Sequence, residues 1–341
     1  MMSTHDKSDY DAPKIPMELK LGDVSLEVPF FLSPLSGYTD LPMRLLARQH
    51  GIRLAYSGMI LDKSTFHGKV LERPNFVISD QEHPVGAQLL GTDPKTMAQA
   101  ARNLHEYGYD LIDLNFACPA PKVVAKKRGG YLLTQPAVVM DIFRRTRDAV
   151  SCPVTMKLRI GFDHRPTSRG NFWWICEQAV AEGIDALVVH GRTVQQQYRG
   201  QADWQILAEL KERFPQTTII GSGDLFDADI IVQKLITSGL DGVALARGAI
   251  GNPWIYREIE AILQGKAKPP PPSLAEQGQV LLRHFEMVLD LYPARKAVIL
   301  FRKYCVKYTK RHPQRKKVLH DLIFAQTVDQ VKDAIGCWYE K

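Results

Sequence analysis

Residues 85–119 decide the fold: VGAQLL (85–90), then GTDPKTMAQAARNLHEYG (91–108), then LIDLNFACP (111–119). Two nearly uninterrupted apolar runs bracket a stretch of helical period. Runs of that kind are what strands covered on both faces of a parallel sheet require. The middle stretch starts after Thr92-Asp93-Pro94, a polar cap with Pro at the first helical position, and stops at Gly108. Together they form one strand–helix–strand unit.

The same alternation extends from about Pro29 to Trp254. Strands are predicted at Phe30–Pro34, Leu54–Ser57, Val85–Leu90, Leu111–Asn115, Val154–Arg159, Ala186–His190, Thr218–Gly221 and Gly242–Ala246. Helices are predicted at Pro94–Tyr107, Pro136–Ala149, Trp173–Glu182 and Asp203–Phe214, with Gly183 and Gly239 closing two of the helical stretches. Eight strands alternating with helices specify an α/β fold of the (β/α)8 TIM-barrel class. An open doubly wound sheet normally needs fewer strands and often a glycine fingerprint after the first, which is missing here.

Lys266-Ala-Lys-Pro-Pro-Pro-Pro-Ser273 reads as a stiff, extended linker. Beyond it the pattern is helical: Ala297, Phe301, Tyr304 and Tyr308 share one helical face, and Lys296, Lys303, Lys307 and Lys310 share another. The expected organisation is an N-terminal lead-in (1–28), a barrel (29–265), a proline-rich linker (266–273) and a small all-helical domain (274–341).

Charge sharpens this division. The 341 residues carry 44 Lys and Arg against 37 Asp and Glu, a net +7. Leu291–His320 holds ten of those bases and no acid, so the rest of the chain carries 34 bases against 37 acids. The excess is one C-terminal segment, which points to a polyanionic partner. The composition excludes disordered and collagen-like classes. No run of about 18 uncharged apolar residues is present and the first sixteen residues are polar, which predicts neither a membrane span nor a secretory signal. Five cysteines, without a C-x-x-C pair or zinc spacing, predict a cytoplasmic protein lacking disulfides and metal.

In a barrel, chemistry sits at the C-terminal strand ends. Here those ends are repeatedly polar: Gln88, Asp113 and Asn115, Lys157 and Arg159, His190 and Arg192, then Gly221-Ser222-Gly223-Asp224 and Ala246-Arg247-Gly248. The last two turns follow strands seven and eight, where barrels commonly bind phosphate through main-chain N–H groups. Lys157 ends an apolar strand. Its ammonium needs a compensating partner, either an electron-rich ring such as a flavin or a carboxylate such as Asp113. Cys118 lies in a polar, proline-marked loop at the mouth; a thiol there is mostly protonated at neutral pH and can serve as a general acid.

These residues resemble the flavin-dependent tRNA-dihydrouridine synthase family. The matching motifs are Ser33-Pro-Leu-Ser-Gly-Tyr-Thr-Asp40 with Arg44, Gln88-Leu-Leu-Gly91, Asp113-Leu-Asn-Phe-Ala-Cys-Pro119 with Lys122-Val123, Met156-Lys-Leu-Arg159, His190-Gly-Arg-Thr193, Gly221-Ser-Gly-Asp224, and Arg247 with Asn252-Pro-Trp254. Phe301-Arg-Lys-Tyr304 and Tyr308 extend the match into the family's RNA-contacting helical domain. By position, the resemblance implies FMN contacts at Pro34, Leu35, Ser36, Gln88, Lys157, His190, Ser222, Gly223, Asp224, Ala246 and Arg247. It implies substrate contacts at Asn115, Arg159, Arg192, Arg302, Lys303 and Lys307, with Cys118 catalytic. The implied reaction reduces uridine in RNA, in the first instance transfer RNA, with the same chemistry on ribosomal RNA as the alternative. NADPH reduces FMN, reduced FMN gives hydride to uracil C6, and Cys118 protonates C5. The implied state is a monomer.

Three positions depart from the family pattern: Ala117 for Gly, Ser222 for Asn and Ala246 for Gly. Ala117 restricts the Cys118 loop if that position needs a positive φ. A barrel reductase of a free pyrimidine, such as a dihydroorotate dehydrogenase-like enzyme, shares much of the chemistry but has no need of the basic segment. A non-catalytic RNA-binding barrel has no need of Lys157, Cys118 and His190 together.

Overall fold

Apolar runs buried on both faces become strands, and the computed structural model, which describes residues 17–340, places eleven of them. In chain order they are β1 (Leu19–Leu21), β2 (Val24–Leu26), β3 (Phe30–Leu32), β4 (Ala55–Tyr56), β5 (Ile60–Leu61) and β6 (Val85–Leu90), followed by β7 (Leu111–Phe116), β8 (Val154–Arg159), β9 (Ala186–His190), β10 (Ile219–Ser222) and β11 (Gly242–Leu245). Strands β3, β4 and β6 to β11 pair in parallel, and β11 returns to β3, closing an eight-stranded barrel. All eight predicted strands are present, three with the predicted bounds and the rest with ends shifted by one or two residues. Short β5 extends the β6 edge. The polar start at residues 1–16 lies outside the described residues.

The helices follow the caps in the sequence. Asp93 accepts the Thr96 N–H at 2.8 Å at the head of Pro94–Tyr107, and Gly108 closes that helix at φ 113°. Pro136–Ala149 forms as predicted, and Gln205–Arg213 falls inside the predicted Asp203–Phe214. The stretch predicted at Trp173–Glu182 begins seven residues earlier, as Pro166–Ala181. Its first two turns, Pro166-Thr-Ser-Arg-Gly-Asn171, are polar and hide the helical period, although Pro166 marks the start.

The β1–β2 hairpin was absent from the strand reading. Its alternation, Leu19/Leu21 and Val24/Leu26 about Gly22-Asp23, is only three residues long on each side. Leu19, Leu21 and Leu26 are buried against the inward side chains of the barrel strands, among them Phe31, Leu54, Tyr56, Leu111, Val188 and Ile220. The hairpin thereby plugs the floor, each leucine contributing about 1.5–3 kcal/mol of apolar burial.

Residues 266–273 form neither helix nor strand. Four helices follow, Leu274–Leu291, Ala294–Tyr308, Arg315–Phe324 and Val328–Tyr339. Ala297, Phe301, Tyr304 and Tyr308 are all buried, as their shared helical face predicts. One apolar cluster runs from the barrel's outer layer through Tyr256 and Ile259 to Leu281, Phe285 and Phe301. Among the described residues no helix is long and apolar enough to cross a membrane.

Arg44 anchors the barrel's first loop. Its guanidinium is 0% exposed and bonds Glu82 twice, at 2.7 and 2.9 Å, and the carbonyl of Thr39 at 3.0 Å. Removing the cation strands Glu82, also 0% exposed, as an unpaired buried charge. Arg44→Met is expected to cost about 3–5 kcal/mol in urea unfolding. A loss below about 1 kcal/mol would contradict that anchoring role.

Candidate active site at the barrel mouth

Parallel pairing sets the polar strand ends side by side. Gln88 is level with Asp113, Asn115 with Lys157, and Arg159 with His190, which is level in turn with Ser222. Alternation along each strand then turns Asp113 and Asn115, Thr155, Lys157 and Arg159 to one face. At the C-terminal strand ends Lys157 and Arg159 line a pocket whose space, open mouth included, is about 650 Å³.

Of the sequence-predicted residues, Pro34, Leu35, Lys157, Arg159, His190, Ser222, Gly223, Asp224, Ala246 and Arg247 line this pocket. Ser36, Gln88, Asn115, Cys118, Arg192, Arg302, Lys303 and Lys307 do not. Ser33 and Gly248, quoted within the motifs, line it too, and Tyr198, Leu225, Phe226 and Ala244 line it without having been singled out. Tyr198 sits in a loop with no periodicity to flag it. Phe226 immediately follows the Gly221–Asp224 turn, and that adjacency was the available signal.

The pocket is strongly cationic. Among the described residues, Lys157, Arg159 and Arg247 have no carboxylate oxygen within 4.0 Å. The Lys157–Asp113 ion pair considered from the sequence does not form: Asp113 instead accepts from Gln88 at 2.6 Å and Thr155 at 2.8 Å. Lys157 is half-buried, with Nζ 3.5 Å from Ser222 Oγ, and burial lowers its ammonium pKa to about 8. Burial, reinforced by Arg159, Lys157, Arg192 and Arg247, pushes His190 down to about 2, so its imidazole is neutral. His190 Nδ1 is buried with no hydrogen-bond partner among the described residues.

The one acid in the lining is already spoken for. Asp224 pairs with buried Arg192 at 2.7 Å and accepts the Ala202 N–H at 2.8 Å. Those bonds hold Asp224 at φ 56°, next to Gly223 at φ 125°. A Cβ at Gly223 would come within 2.6 Å of Ala202 Cβ, so this turn requires glycine. Among the described residues, the backbone N–H groups of Gly223, Asp224, Arg247 and Gly248 donate to no protein acceptor. The Arg247 guanidinium lies 4.1 Å from the Tyr198 ring centroid and 5.2 Å from that of Phe226.

Arg159 braces two loops. Its Nε donates to Ala117 O at 2.9 Å, and Nη1 donates to Thr193 O and Gln197 O, each at 2.9 Å. Burial lowers its pKa to about 10, which leaves it cationic at neutral pH. Asn115 organises the Cys118 loop: its side-chain oxygen accepts from Ala117 N at 3.1 Å and Cys118 N at 2.9 Å, while its amide donates to Gln88 Oε1 at 2.7 Å. Ala117 and Ala246 both avoid positive φ, so alanine is accommodated without strain at either position. Arg302 donates to Ala325 O at 2.9 Å within the helical tail. Lys303 is turned toward the barrel, where its Nζ donates to Gly37 O. Lys307 is half-buried.

Cys118 is half-buried, and burial raises its thiol pKa, outweighing the opposing hydrogen bond with the Ala120 backbone and the charge of Arg159. Because alkylation needs the thiolate, Cys118 is expected to react slowly at neutral pH, its rate rising only above the ordinary thiol range of about 8.5. Peptide-resolved iodoacetamide labelling across pH, with exposed Cys337 as internal reference, checks this. A Cys118 rate already level by pH 7 would contradict it.

A family model described as dihydrouridine synthase matches residues 31–335. The tRNA-dihydrouridine synthase B of Xanthomonas axonopodis pv. citri is 36% identical over 302 residues, covering 87% of this chain and 88% of that protein. The probable tRNA-dihydrouridine synthase of Rickettsia conorii is 33% identical over 296 residues, covering 86% and 88%. Among solved structures, morphinone reductase aligns with a TM-score of 0.52 at 13% identity, covering 76% of this chain and 93% of that one. Histamine dehydrogenase from Rhizobium sp. 4-9 aligns at 0.57 and 14%, covering 82% of this chain but only 51% of that one. At such identities these two likenesses carry the barrel fold alone. The match across nearly all of the barrel and helical tail places the chain in the dihydrouridine synthase family.

Proposed function

We propose that this dihydrouridine synthase, which reduces uridine to 5,6-dihydrouridine in transfer RNA, does so with FMN held at the barrel mouth, NADPH as reductant and Cys118 as proton donor. The observation that carries the cofactor assignment is Lys157, a half-buried ammonium with no carboxylate oxygen within 4.0 Å among the described residues, beside the orphaned Nδ1 of neutral His190. An electron-rich ring satisfies both groups. The free N–H groups of the Gly223–Asp224 and Arg247–Gly248 turns, with the Ser222 hydroxyl and the Arg247 guanidinium nearby, suit a phosphate. Pro34 and Leu35, with Ser36 beside them, come from the loop after β3, next to β11 in the barrel, and Ala246 adds to the lining. Gln88 completes the set, its carboxamide fixed by Asp113 and Asn115.

When bound, the flavin supplies a hydride equivalent to uracil C6. The chain's own groups manage the charge that this addition creates. Opening the C5–C6 double bond pushes electron density toward the C4 carbonyl, and the Lys157 and Arg159 cations stabilise it in a desolvated pocket. The Cys118 S–H bond then breaks as a C5–H bond forms, and solvent returns the proton to the thiolate. A raised thiol pKa keeps that proton available at neutral pH. Asn115 fixes the Cys118 loop and Arg159 ties it to the loop after β9, so both act partly by positioning. Arg192 acts through Asp224.

A uridine inside folded RNA must be extruded to reach this mouth. Exposed Arg295, Lys296, Lys310, Arg315, Lys316 and Lys317 on the helical tail suit the phosphates that position it. The chain works as a monomer in the cytoplasm. The free-pyrimidine alternative gains nothing from the relatives, whose names specify transfer RNA.

Cys118→Ala tests the assignment. The variant is expected to retain FMN, identified by mass after denaturation, while dihydrouridine formation in a transfer RNA transcript falls about 100- to 10,000-fold. Unchanged product formation would remove Cys118 from the mechanism. Wild-type protein that carries no flavin would overturn the cofactor assignment.

A further inference from the structure

Helix Ala294–Tyr308 belongs to the basic tail, yet its inner face grips two loops that line the flavin pocket. The first is Ser33–Asp40, which contributes Pro34 and Leu35 to the lining. The Tyr304 hydroxyl lies 2.5 Å from the Tyr38 carbonyl and 3.0 Å from Asp40 Oδ1, and its ring meets Tyr38 edge-on at 5.6 Å. Lys303 Nζ donates to the Gly37 carbonyl and sits 5.5 and 4.6 Å from the Tyr38 and Tyr304 ring centroids. Inside this loop, Thr39 Oγ1 accepts the Leu35 N–H at 3.1 Å. The Tyr38 N–H also donates to the Leu35 carbonyl at 2.9 Å, so a shift at Tyr38 reaches Leu35 directly.

The second loop follows β11 and contributes Ala246, Arg247 and Gly248 to the lining. The helix's last turn presses onto Gly251 at φ 68°, where an added Cβ would lie 2.7 Å from Lys307 Cβ and 2.6 Å from Tyr308 N. Just beyond the helix, Arg311 donates to Asn252 Oδ1 at 2.7 Å. The first turn of the same helix exposes Arg295 and Lys296, and Lys310 is exposed just past its end.

We propose that helix Ala294–Tyr308 couples transfer RNA binding to flavin binding, with Lys303 and Tyr304 acting as positioning residues for the Ser33–Asp40 loop. This rests on the preceding assignment of the pocket to FMN. RNA held on the exposed cations at the two ends of the helix restrains it; the restrained helix holds the loop in its flavin-lining form, so each ligand strengthens the other. Lys303 is thereby reassigned from phosphate contact to loop clamp. Its ammonium is already engaged by a carbonyl, two aromatic rings and the field of Asp40, and burial lowers its pKa.

Flavin release from the full-length holoenzyme on dilution, followed by fluorescence with and without an unmodified transfer RNA transcript, tests the coupling. Transfer RNA is expected to slow release from wild type about five-fold, at the low end of typical coupling. Tyr304→Phe, which deletes one hydroxyl, and Lys303→Met, which keeps the stem, are each expected to release flavin several-fold faster. Both should lose most of the RNA effect while their melting temperatures stay near wild type. Release rates equal to wild type in both variants would overturn the proposal. So would a Lys303→Met variant that keeps its flavin but loses transfer RNA affinity, with a shallower salt dependence, since that is the signature of a phosphate contact. A wild-type chain that retains no flavin would contradict the FMN assignment itself, and the coupling with it.

Discussion

Three cations at one barrel mouth, none in an ion pair among the described residues, form the constraint on which the rest of the site depends. Closing the barrel brings Lys157, Arg159 and Arg247 to the same pocket, and the single carboxylate in its lining, Asp224, is neutralised by Arg192. Burial above all, with these like charges adding to it, keeps neighbouring His190 neutral. A pocket so arranged is incomplete until an anion or electron-rich group enters it. The same field suits chemistry that places transient negative charge on a substrate, and adding hydride to a conjugated uracil does so.

Rigid supports keep these groups apart and oriented. Asn115 sits between Gln88 and the Cys118 loop, and Arg159 spans the loops after β7 and β9. Arg44, buried against Glu82, holds the carbonyl of Thr39 in the loop after β3 that adds Pro34 and Leu35 to the lining. Each support uses buried polar groups whose partners come from distant parts of the chain. Such networks are costly when half satisfied and specify one arrangement when complete.

Much of this was legible in the sequence, for a physical reason. Strands buried on both faces in a parallel barrel read as apolar runs, so β3 to β11 apart from short β5 were found within a residue or two of their ends. The polar residues ending those runs marked most of the pocket. The β1–β2 hairpin escaped because three-residue alternation is too short to rise above its surroundings. Tyr198 and Phe226 escaped because loop aromatics carry no period. Lys303 shows a different limit: helical spacing places it beside Lys307 and Lys310, but only the packed structure shows that it turns inward onto Gly37 and Tyr38.

The central claim is that electrons held at this mouth pass to a uridine within transfer RNA. Anaerobic mixing of the photoreduced holoenzyme with a transfer RNA transcript, without any nicotinamide, measures this most directly. The account predicts that the flavin reoxidises on adding transfer RNA and that one dihydrouridine appears per flavin. Flavin that stays reduced with transfer RNA yet reoxidises with a free pyrimidine such as orotate would contradict it.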